Sequence, residues 1–324
     1  MTSRFLTLSA AAFLALGVQS AGAATNFVIF SDPAEAAGST QGYGINNAGQ
    51  VVGASLNGTG DAQGYVRAPG GSFTPLNVSG SAMTVASGIN GSGQVTGYYS
   101  NGGGDGNHGF VDATTFNIPG AAAAGATQSI GINASATTVG YFVDTLGNTN
   151  GFSRTSGGTV TTLTATGALS GATSIQAFGV DDAGTIVGTF SDGTLTHGFV
   201  YTAGAYAVLD DPLGTNGTVL TGINNVGDVV GYYTDGGFAV HGFADFGGAT
   251  GGTNFVTVDV PGAESTMVNG INDQRIAVGT SVFAGGVFTG FTAEVPEPAS
   301  LALFGLGTLG LAMLRRRRET AAAV

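Results

Sequence analysis

The chain repeats one short glycine-rich motif six times. Residues 222–231 read Gly-Ile-Asn-Asn-Val-Gly-Asp-Val-Val-Gly. Related segments begin at Gly44, Gly88, Gly131, Gly179 and Gly270, so successive starts are 44, 43, 48, 43 and 48 residues apart. A unit of this length cannot bury both faces of its own secondary structure, so neighbouring units must stack on one another. The regular spacing therefore limits the possible architectures severely.

Each unit contains about four short segments that are typical of β-strands. Val, Ile, Thr, Phe and Tyr recur in runs of period two, and turn residues separate the runs. Residues 27–294 divide into six units of about 45 residues, which leaves little room for a separate domain. A four-stranded repeat of this length is typical of a β-propeller blade. We therefore predict an all-β, six-bladed β-propeller, with a β-solenoid as the alternative. The sequence does not decide whether the residues near Phe27 close the ring by joining the last blade.

The motif itself predicts a strand, a tight turn and a returning strand. An Asn or Asp at the start of the turn accepts backbone N–H groups, and a glycine three residues later supplies a positive φ. Gly53 and its equivalents, at the end of the motif, are expected to allow a bulge or a close approach between packed units. The predicted structural turn residues are Asn46, Gly49, Asn90, Gly93, Asn133, Asp181, Gly184, Asn224, Gly227 and Asn272. In the third unit Ala136 replaces the inner glycine.

The first 23 residues have the composition of a secretory signal peptide. Arg4 precedes an apolar run at residues 5–18, and Ala21-Gly22-Ala23 supplies the small residues of a cleavage site. We expect this segment to pass the chain to the Sec export machinery and then to be removed.

The C-terminal end forms a second sorting segment. Proline at positions 296 and 298 ends the β domain, because it cannot continue a strand. An apolar stretch at residues 299–314 has the length of a short transmembrane helix, and the arginines after it favour the cytoplasmic side. The residues of this signal are Val295, Pro296, Glu297, Pro298, Arg315, Arg316, Arg317 and Arg318. A simple C-terminal membrane anchor is the alternative.

This tail resembles the PEP-CTERM sorting signal of Gram-negative bacteria, because its Val-Pro-Glu-Pro segment, apolar stretch and Arg cluster are all present. The resemblance implies that an exosortase-type enzyme removes the tail and that the chain touches the membrane only transiently, through the C-terminal helix. It also implies a cell-surface or extracellular-matrix protein of a bacterium that forms exopolysaccharide or biofilm. The expected division is a signal peptide at 1–23, a six-repeat β domain at 25–294 and a sorting tail at 295–324.

The repeats carry a second resemblance. Three units follow the motif with His-Gly-Phe, at His108-Gly-Phe110, His197-Gly-Phe199 and His241-Gly-Phe243. Together with the motif this element is similar to the extracellular HAF repeat family. Units one, three and six depart from it, with Gln63, Asn150 and Thr289 at the histidine position. The resemblance implies an exported repeat protein and brings no settled activity with it.

Composition excludes several classes of function. Of 20 acidic residues, 18 fall between residues 25 and 294, against three arginines and no lysine, which disfavours nucleic acid and anionic membranes as partners. The absence of cysteine removes disulfides and thiolate metal sites, and the absence of lysine removes a Walker loop. No nucleophile elbow or His-Glu-x-x-His motif is present.

The remaining candidates favour structural roles. The three histidines follow the repeat symmetry, which a catalytic or metal site would break. The acid pairs Asp181-Asp182 and Asp210-Asp211 lie at turns, so glycoside hydrolysis by two carboxylates stays open only as an alternative. We expect no catalytic residues, no metal ligands and no resident cofactor. Ca²⁺ in the Asp-Gly loops at residues 191–193 and 234–237 is a lesser hypothesis.

The sequence therefore predicts a non-enzymatic, exported surface or matrix protein that associates with exopolysaccharide in a biofilm. Two alternatives remain. One is a carbohydrate-binding propeller that uses the paired tyrosines Tyr98, Tyr99, Tyr232 and Tyr233, whose other expected role is packing between blades. The second is a glycan hydrolase or lyase on one face of the propeller. Extracellular polysaccharide is accordingly a further candidate partner.

Overall fold

The computed structural model describes residues 24–122, 126–251 and 254–296. The expected signal peptide and the sorting tail from residue 297 onward lie outside these ranges. Within them the chain forms 24 β-strands and two short 3-10 helices, at Gly167–Leu169 and Gly248–Thr250. No helix of the described part is long and apolar enough to cross a membrane.

The strands form six antiparallel sheets of four strands each, and each sheet is one blade. β1 (Thr25–Phe30) belongs to the last blade, and the other strands follow in chain order. Blade 1 comprises β2 (Gln41–Ile45), β3 (Val51–Leu56), β4 (Ala62–Arg67) and β5 (Phe73–Pro75). Blade 2 comprises β6 (Met83–Ile89), β7 (Val95–Ser100), β8 (His108–Val111) and β9 (Thr114–Phe116).

The later blades have the same construction. Blade 3 comprises β10 (Thr127–Ile132), β11 (Thr138–Val143), β12 (Thr149–Arg154) and β13 (Val160–Leu163). Blade 4 comprises β14 (Ser174–Val180), β15 (Ile186–Ser191), β16 (Thr196–Thr202) and β17 (Ala205–Val208). Blade 5 comprises β18 (Thr218–Ile223), β19 (Val229–Thr234), β20 (Val240–Asp245) and β21 (Phe255–Thr257). Blade 6 comprises β22 (Ser265–Ile271), β23 (Ile276–Phe283), β24 (Val287–Glu294) and β1.

The sixth blade closes the ring with a strand from the N-terminal end of the domain. Its order is β1-β24-β23-β22, and β1 pairs antiparallel with β24, so that Ile29 lies opposite Phe291. The Asn269 amide of blade 6 donates to the carbonyl of Gly42 in blade 1 at 2.7 Å, which joins the last innermost strand to the first. The predicted six-bladed β-propeller is confirmed, and the solenoid alternative is wrong because the two ends meet.

One aromatic ring per blade forms the centre of the packing. It comes from the third strand, directly after the Gly of the Gly-Phe or Gly-Tyr element, and it is almost fully buried in every blade. The six residues are Tyr65, Phe110, Phe152, Phe199, Phe243 and Phe291. Burying a side chain of this size stabilises a fold by about 1.5–3 kcal/mol relative to leaving it exposed. The aromatic element of the repeat is thus the core of each blade.

The glycine that ends the motif lies beneath this ring. A Cβ on Gly97 would collide with the carbonyl oxygen of Val85 and the ring of Phe110 in its own blade, and Gly53 and the other equivalents are similar. The expectation of a close approach between units at this position is therefore wrong. The crowding arises within a blade, because the aromatic side chain of the third strand crosses the second strand here.

Blades approach one another at the first glycine of the motif instead. A Cβ on each of these glycines would lie between 3.0 and 3.5 Å from the Cα of the equivalent glycine in the next blade. The series runs through Gly44, Gly88, Gly131, Gly179, Gly222 and Gly270 and returns to Gly44. We call it the glycine ring. Backbones this close leave no room for a side chain, which explains the residue type.

Phe30→Ala should destabilise the protein strongly, because the Phe30 ring closes the gap between the first and last blades. The ring is 7% exposed and lies against Gly290, and the Arg67 guanidinium lies 4.6 Å from its centroid. Truncating a buried phenylalanine costs about 3–5 kcal/mol. Ile29→Ala is the matched control, since Ile29 on the same strand is 47% exposed. Thermal unfolding should show a large loss for the first variant alone, and equal melting temperatures would contradict closure by β1.

Candidate functional site

The six motif turns lie on one face of the ring, which we call the turn face. The turns begin directly after the innermost strands, at Asn46, Asn90, Asn133, Asp181, Asn224 and Asn272. In the first turn, the Asn46 side-chain oxygen accepts the backbone N–H groups of Ala48 and Gln50, at 3.1 and 3.0 Å. The same pair of bonds recurs at Asn90, Asn133, Asn224 and Asn272. These side chains therefore stabilise the turns.

The position three residues later has a positive φ in all six turns. The predicted glycines Gly49, Gly93, Gly184 and Gly227 have φ values of 75°, 81°, 87° and 86°. Ala136 and Arg275 occupy the position in the other two blades, with φ values of 54° and 61°. Left-handed backbone is unfavourable for residues with a Cβ. The third and sixth turns therefore contain local strain that the other four avoid.

The turn asparagines also join neighbouring blades. Each Nδ2 group donates to the main-chain carbonyl of the turn residue in the next blade, as from Asn46 to Asn90 at 3.2 Å. The bonds from Asn90, Asn133, Asn224 and Asn272 measure 3.0, 3.0, 3.1 and 3.1 Å. We call this series the asparagine ring. It lacks one link, because the fourth blade has Asp181, whose carboxylate has no N–H to donate to Asn224.

A second set of bonds follows at the next residue of each turn. The backbone N–H of Asp182 donates to the Asn225 side-chain oxygen at 2.9 Å, and that of Asp273 donates to Asn47 at 2.9 Å. Asp273 itself accepts the Asn47 and Asn225 side-chain amides at 2.6 and 3.1 Å. Burial alone would raise the pKa of Asp273, but these hydrogen bonds outweigh it and lower the pKa. The carboxylate is thereby held in its ionised form.

The innermost strands enclose a central channel, and this is the principal cavity of the described residues. Its volume is about 320 Å³, within the range of small-molecule sites. A smaller space of about 120 Å³ adjoins the asparagine ring at the turn face. The lining of the channel includes aromatic, aliphatic, hydroxyl and amide side chains, and among the described residues that form it there is no Asp, Glu, His or Arg.

A β-bulge in every blade shapes the channel wall. In each innermost pair the register shifts just before the first motif glycine, as between Gly42 and Gly44. One extra residue therefore stands on the innermost strand, and a bulge of this kind redirects a side chain. The six residues are Tyr43, Ser87, Ile130, Phe178, Thr221 and Asn269, and all six line the channel. We call them the bulge residues.

The sequence did not identify the bulge residues as candidates. A signal was nevertheless present, because the position before the motif glycine differs in all six units while the two positions after it, Gly and then Ile or Val, repeat. Recognising it requires the register of the innermost pair, which decides whether this side chain faces the channel or a neighbouring blade.

The structure separates the four candidate tyrosines into two pairs. Tyr98 and Tyr232 line the channel, whereas the rings of Tyr99 and Tyr233 stack on His108 and His241, with centroids 5.2 and 5.1 Å apart. Neighbouring residues on a strand point to opposite sides, which accounts for the division. Burial raises the pKa of Tyr98 and of Tyr232, so both hydroxyls are neutral at physiological pH.

The three histidines occupy equivalent positions and pair with nearby side chains. The His197 Nδ1 atom lies 2.8 Å from Asp210 Oδ2, and its Nε2 atom lies 3.5 Å from Asp192 Oδ2. His241 has the same arrangement with Asp259 and Asp235. The hydrogen bond to Asp210 raises the pKa of His197, since it outweighs the opposing effect of burial. The bond to Asp259 has the same effect on the pKa of His241.

His108 has one carboxylate partner and one amide partner. Its Nε2 atom lies 3.0 Å from Asp105, and its Nδ1 atom lies 2.8 Å from Asn117. The three histidines therefore belong to separate blades and separate polar clusters. Within the described ranges, no group of three or more acidic and histidine side chains is placed to bind a metal ion.

The Asp-Gly loops considered for Ca²⁺ have their carboxylates engaged in turns. One Asp192 oxygen accepts the backbone N–H groups of Thr194 and Leu195, at 2.7 and 2.8 Å. One Asp235 oxygen accepts those of Gly237 and Ala239, at 2.8 and 2.9 Å. These bonds lower the pKa of both carboxyls and fix the loops without a cation.

The two acid pairs do not converge. Asp181 accepts the backbone N–H of Thr185 within its own turn, whereas Asp182 accepts that of Ala134 from the preceding blade. Asp210 binds His197, whereas Asp211 accepts the N–H of Leu213. The two carboxylates of each pair therefore have different partners.

One buried carboxyl group, that of Asp245 in the fifth blade, differs from the turn carboxylates because one of its oxygens has no hydrogen-bond partner among the described residues. The Asp245 Oδ1 atom accepts the backbone N–H of Asn254 at 2.6 Å, and its Oδ2 atom is buried without a hydrogen-bond partner in the described part of the chain. Burial raises the pKa of Asp245 to about 7, and the nearby carboxylates of Asp211 and Asp228 act in the same direction. Arg275 pairs with Asp228 at 2.8 Å.

Comparison with known proteins identifies the end of the chain. Residues 294–318 match the PEP-CTERM protein-sorting motif, so this part of the prediction is confirmed. The chain therefore combines a β-propeller fold with a sorting motif that implies an exported surface protein, and signals of this class are processed by exosortases. No curated protein matches the sequence.

Solved structures resemble the fold at low sequence identity. A triple-arginine variant of AofleA from Arthrobotrys oligospora is 10% identical with a TM-score of 0.50, over 84% of this chain and 90% of that chain. TolB from Acinetobacter baumannii is 10% identical with a TM-score of 0.50, over 77% and 64%. Virginiamycin B lyase from Staphylococcus aureus is 11% identical with a TM-score of 0.45, over 83% and 99%. The first two of these similarities show the fold alone.

Asp181→Asn should stabilise the protein by supplying the missing link of the asparagine ring. The new amide oxygen would still accept the Thr185 N–H, and the new Nδ2 group would donate to the Asn224 carbonyl. A net gain of about 0.5–1.5 kcal/mol is typical of one hydrogen bond. The reverse change, Asn272→Asp, is the matched control and should destabilise by a similar or larger amount. Denaturant unfolding measures both, and a loss of stability with Asp181→Asn would contradict the role of the ring.

Asp245 should make stability fall as the pH rises. Its pKa is about 7 in the folded chain and about 4 when unfolded, so the folded state holds the proton more tightly. The contribution is complete below about pH 4 and is lost as the pH rises through 7. Asp245→Asn should flatten the curve of unfolding free energy between these limits. An unchanged curve for Asp245→Asn would contradict the assignment.

Proposed function

We propose that the protein is a non-enzymatic repeat protein of the surface or extracellular matrix of a Gram-negative bacterium, associated with exopolysaccharide in a biofilm. The observation that carries the proposal is the sorting motif at residues 294–318, which follows directly on a closed propeller. The repeats of that propeller are of the HAF type in this proposal. Export places the domain where its partners are polymers of the envelope and the matrix.

The chemistry of the blades supports a non-enzymatic role. Four carboxylates are engaged in turns, in contacts between blades or in pairs with histidine, namely Asp181, Asp182, Asp210 and Asp259. The described lining of the channel contributes no ionisable acid or base at neutral pH. General acid–base catalysis needs such a group within hydrogen-bond reach of the substrate. The hydrolase or lyase alternative has no comparable observation in its favour.

Carbohydrate binding is a second candidate function, and one observation favours it. Tyr98 and Tyr232, two of the four tyrosines considered for this role, line a cavity of ligand size. Aromatic rings combined with a few polar groups are typical of ligand sites. A matrix protein that holds a sugar unit would combine the two functions.

Loss of the gene should reduce retention of matrix polysaccharide, and the sorting motif should be required for rescue. Under matrix-forming conditions, a deletion strain is complemented with the wild type, with Glu297→Ala inside the matched motif, or with Glu319→Ala just outside it. The wild type and Glu319→Ala should restore aggregation and polysaccharide content, and Glu297→Ala should accumulate as unprocessed precursor. A deletion strain with an unchanged matrix would contradict the proposal.

A further inference from the structure

The bulge residues break the symmetry of an otherwise uniform ring. The glycine after each of them, and the Ile or Val after that, serve the same packing in every blade and hardly vary. The bulge position carries instead two aromatic, one aliphatic and three polar side chains: Tyr43, Phe178, Ile130, Ser87, Thr221 and Asn269. Packing between equivalent blades gives no reason for this variety. A ligand that lies on the channel axis and lacks sixfold symmetry would explain it, because each blade would then contact a different part of the ligand.

The lining of the channel disfavours a charged ligand. Its described lining has no cationic side chain to pair with an anionic ligand and no carboxylate to pair with a cation. Bringing an unpaired charge into such a cavity is costly. The acidic domain, with 18 acidic residues against three arginines, repels anions further. The occupant is therefore neutral.

Several polar groups of the wall have hydrogen-bonding capacity to spare. Asn269 donates its amide to the Gly42 carbonyl and to Thr280, which leaves its side-chain oxygen as an acceptor. The hydroxyls of Tyr98 and Tyr232 add two further groups to the same wall.

Aromatic faces accompany these polar groups. Tyr43 and Phe178 come from the first and fourth blades of the ring, and both line the channel. The Tyr43 hydroxyl donates to Gln41 at 2.9 Å, a contact that ties the ring to its own strand. The wall thus combines apolar faces with neutral donors and acceptors. A sugar ring has the matching surface, with apolar C–H faces and hydroxyls around its edge.

We infer that the central channel binds a neutral sugar unit, with the bulge residues and the channel tyrosines Tyr98 and Tyr232 as its contacts. This inference rests on the proposed function, which supplies polysaccharide as the partner, and it names the site and the class of sugar. A volume of about 320 Å³ lies within the size range of small-molecule sites, which fits a short sugar unit.

Binding of methyl glycosides by the purified exported protein tests the inference. The probes are the methyl glycosides of glucose, galactose, mannose and rhamnose, with glucuronate as the charged comparison, and isothermal titration calorimetry and ligand-observed NMR give the affinities. At least one neutral glycoside should bind saturably, and glucuronate should bind at least tenfold more weakly. No saturable binding at tens of millimolar glycoside, or equal binding of glucuronate, would overturn the inference.

Two variants locate the site, and two adjacent residues serve as matched controls. Tyr98→Phe and Tyr232→Phe each remove one channel hydroxyl and should weaken binding about 3- to 10-fold, the effect of one hydrogen bond. Tyr99→Phe and Tyr233→Phe change the neighbouring rings that stack on histidine and should leave the affinity unchanged.

Full affinity in both channel variants would place the sugar elsewhere and overturn the inference. Failure here is distinguishable from failure of the proposed function. The binding measurement uses purified protein and does not depend on its location in the cell. The matrix experiment depends on sorting and does not depend on which sugar the channel accepts.

Discussion

The close approach of six innermost strands is the constraint on which the rest of the structure depends. The glycine ring brings each backbone within van der Waals distance of the next, and a single Cβ there would push two blades apart. The asparagine ring locks the same strands together at the turn face, with one link absent at Asp181. Because the strands meet so closely, the space they enclose is narrow. A bulge in each strand then directs one side chain into it.

This construction separates residues by role. Positions that repeat in every unit cap the turns, fill the blade cores or permit backbone contact, and they account for the stability of the ring. Positions that differ lie largely on the channel wall or in the outer loops. Tyr98 and Tyr99 illustrate the division over one peptide bond, since the first faces the channel and the second stacks on His108. Any specific binding by this protein therefore follows from the differences between blades.

Much of the fold could be predicted from the sequence, because the residue types of each unit indicate its strands and turns directly. The Asn and Gly of the turn have a direct backbone reason, and the Gly-Phe element predicts a buried ring. Closure by β1 could not be predicted, because Phe27-Val-Ile-Phe30 fits any edge strand. The hydrogen bonds by which Asn90, Asn133 and Asn224 join neighbouring blades could not be predicted either. Their amides donate to a carbonyl 43 to 48 residues away, in the next blade. The channel wall depends on the bulge register, which the alternation of residue types does not reveal.

The most direct test of the account is NMR of protein with isotope-labelled tyrosine rings, titrated with the tightest-binding methyl glycoside. The chain has nine tyrosines, distributed between the channel and the spaces between blades, so they report on both regions at once. The account predicts saturable shifts for Tyr43, Tyr98 and Tyr232, which line the channel. It predicts unchanged signals for Tyr99, Tyr206 and Tyr233, whose rings pack within the blades. Shifts confined to the second group would contradict it.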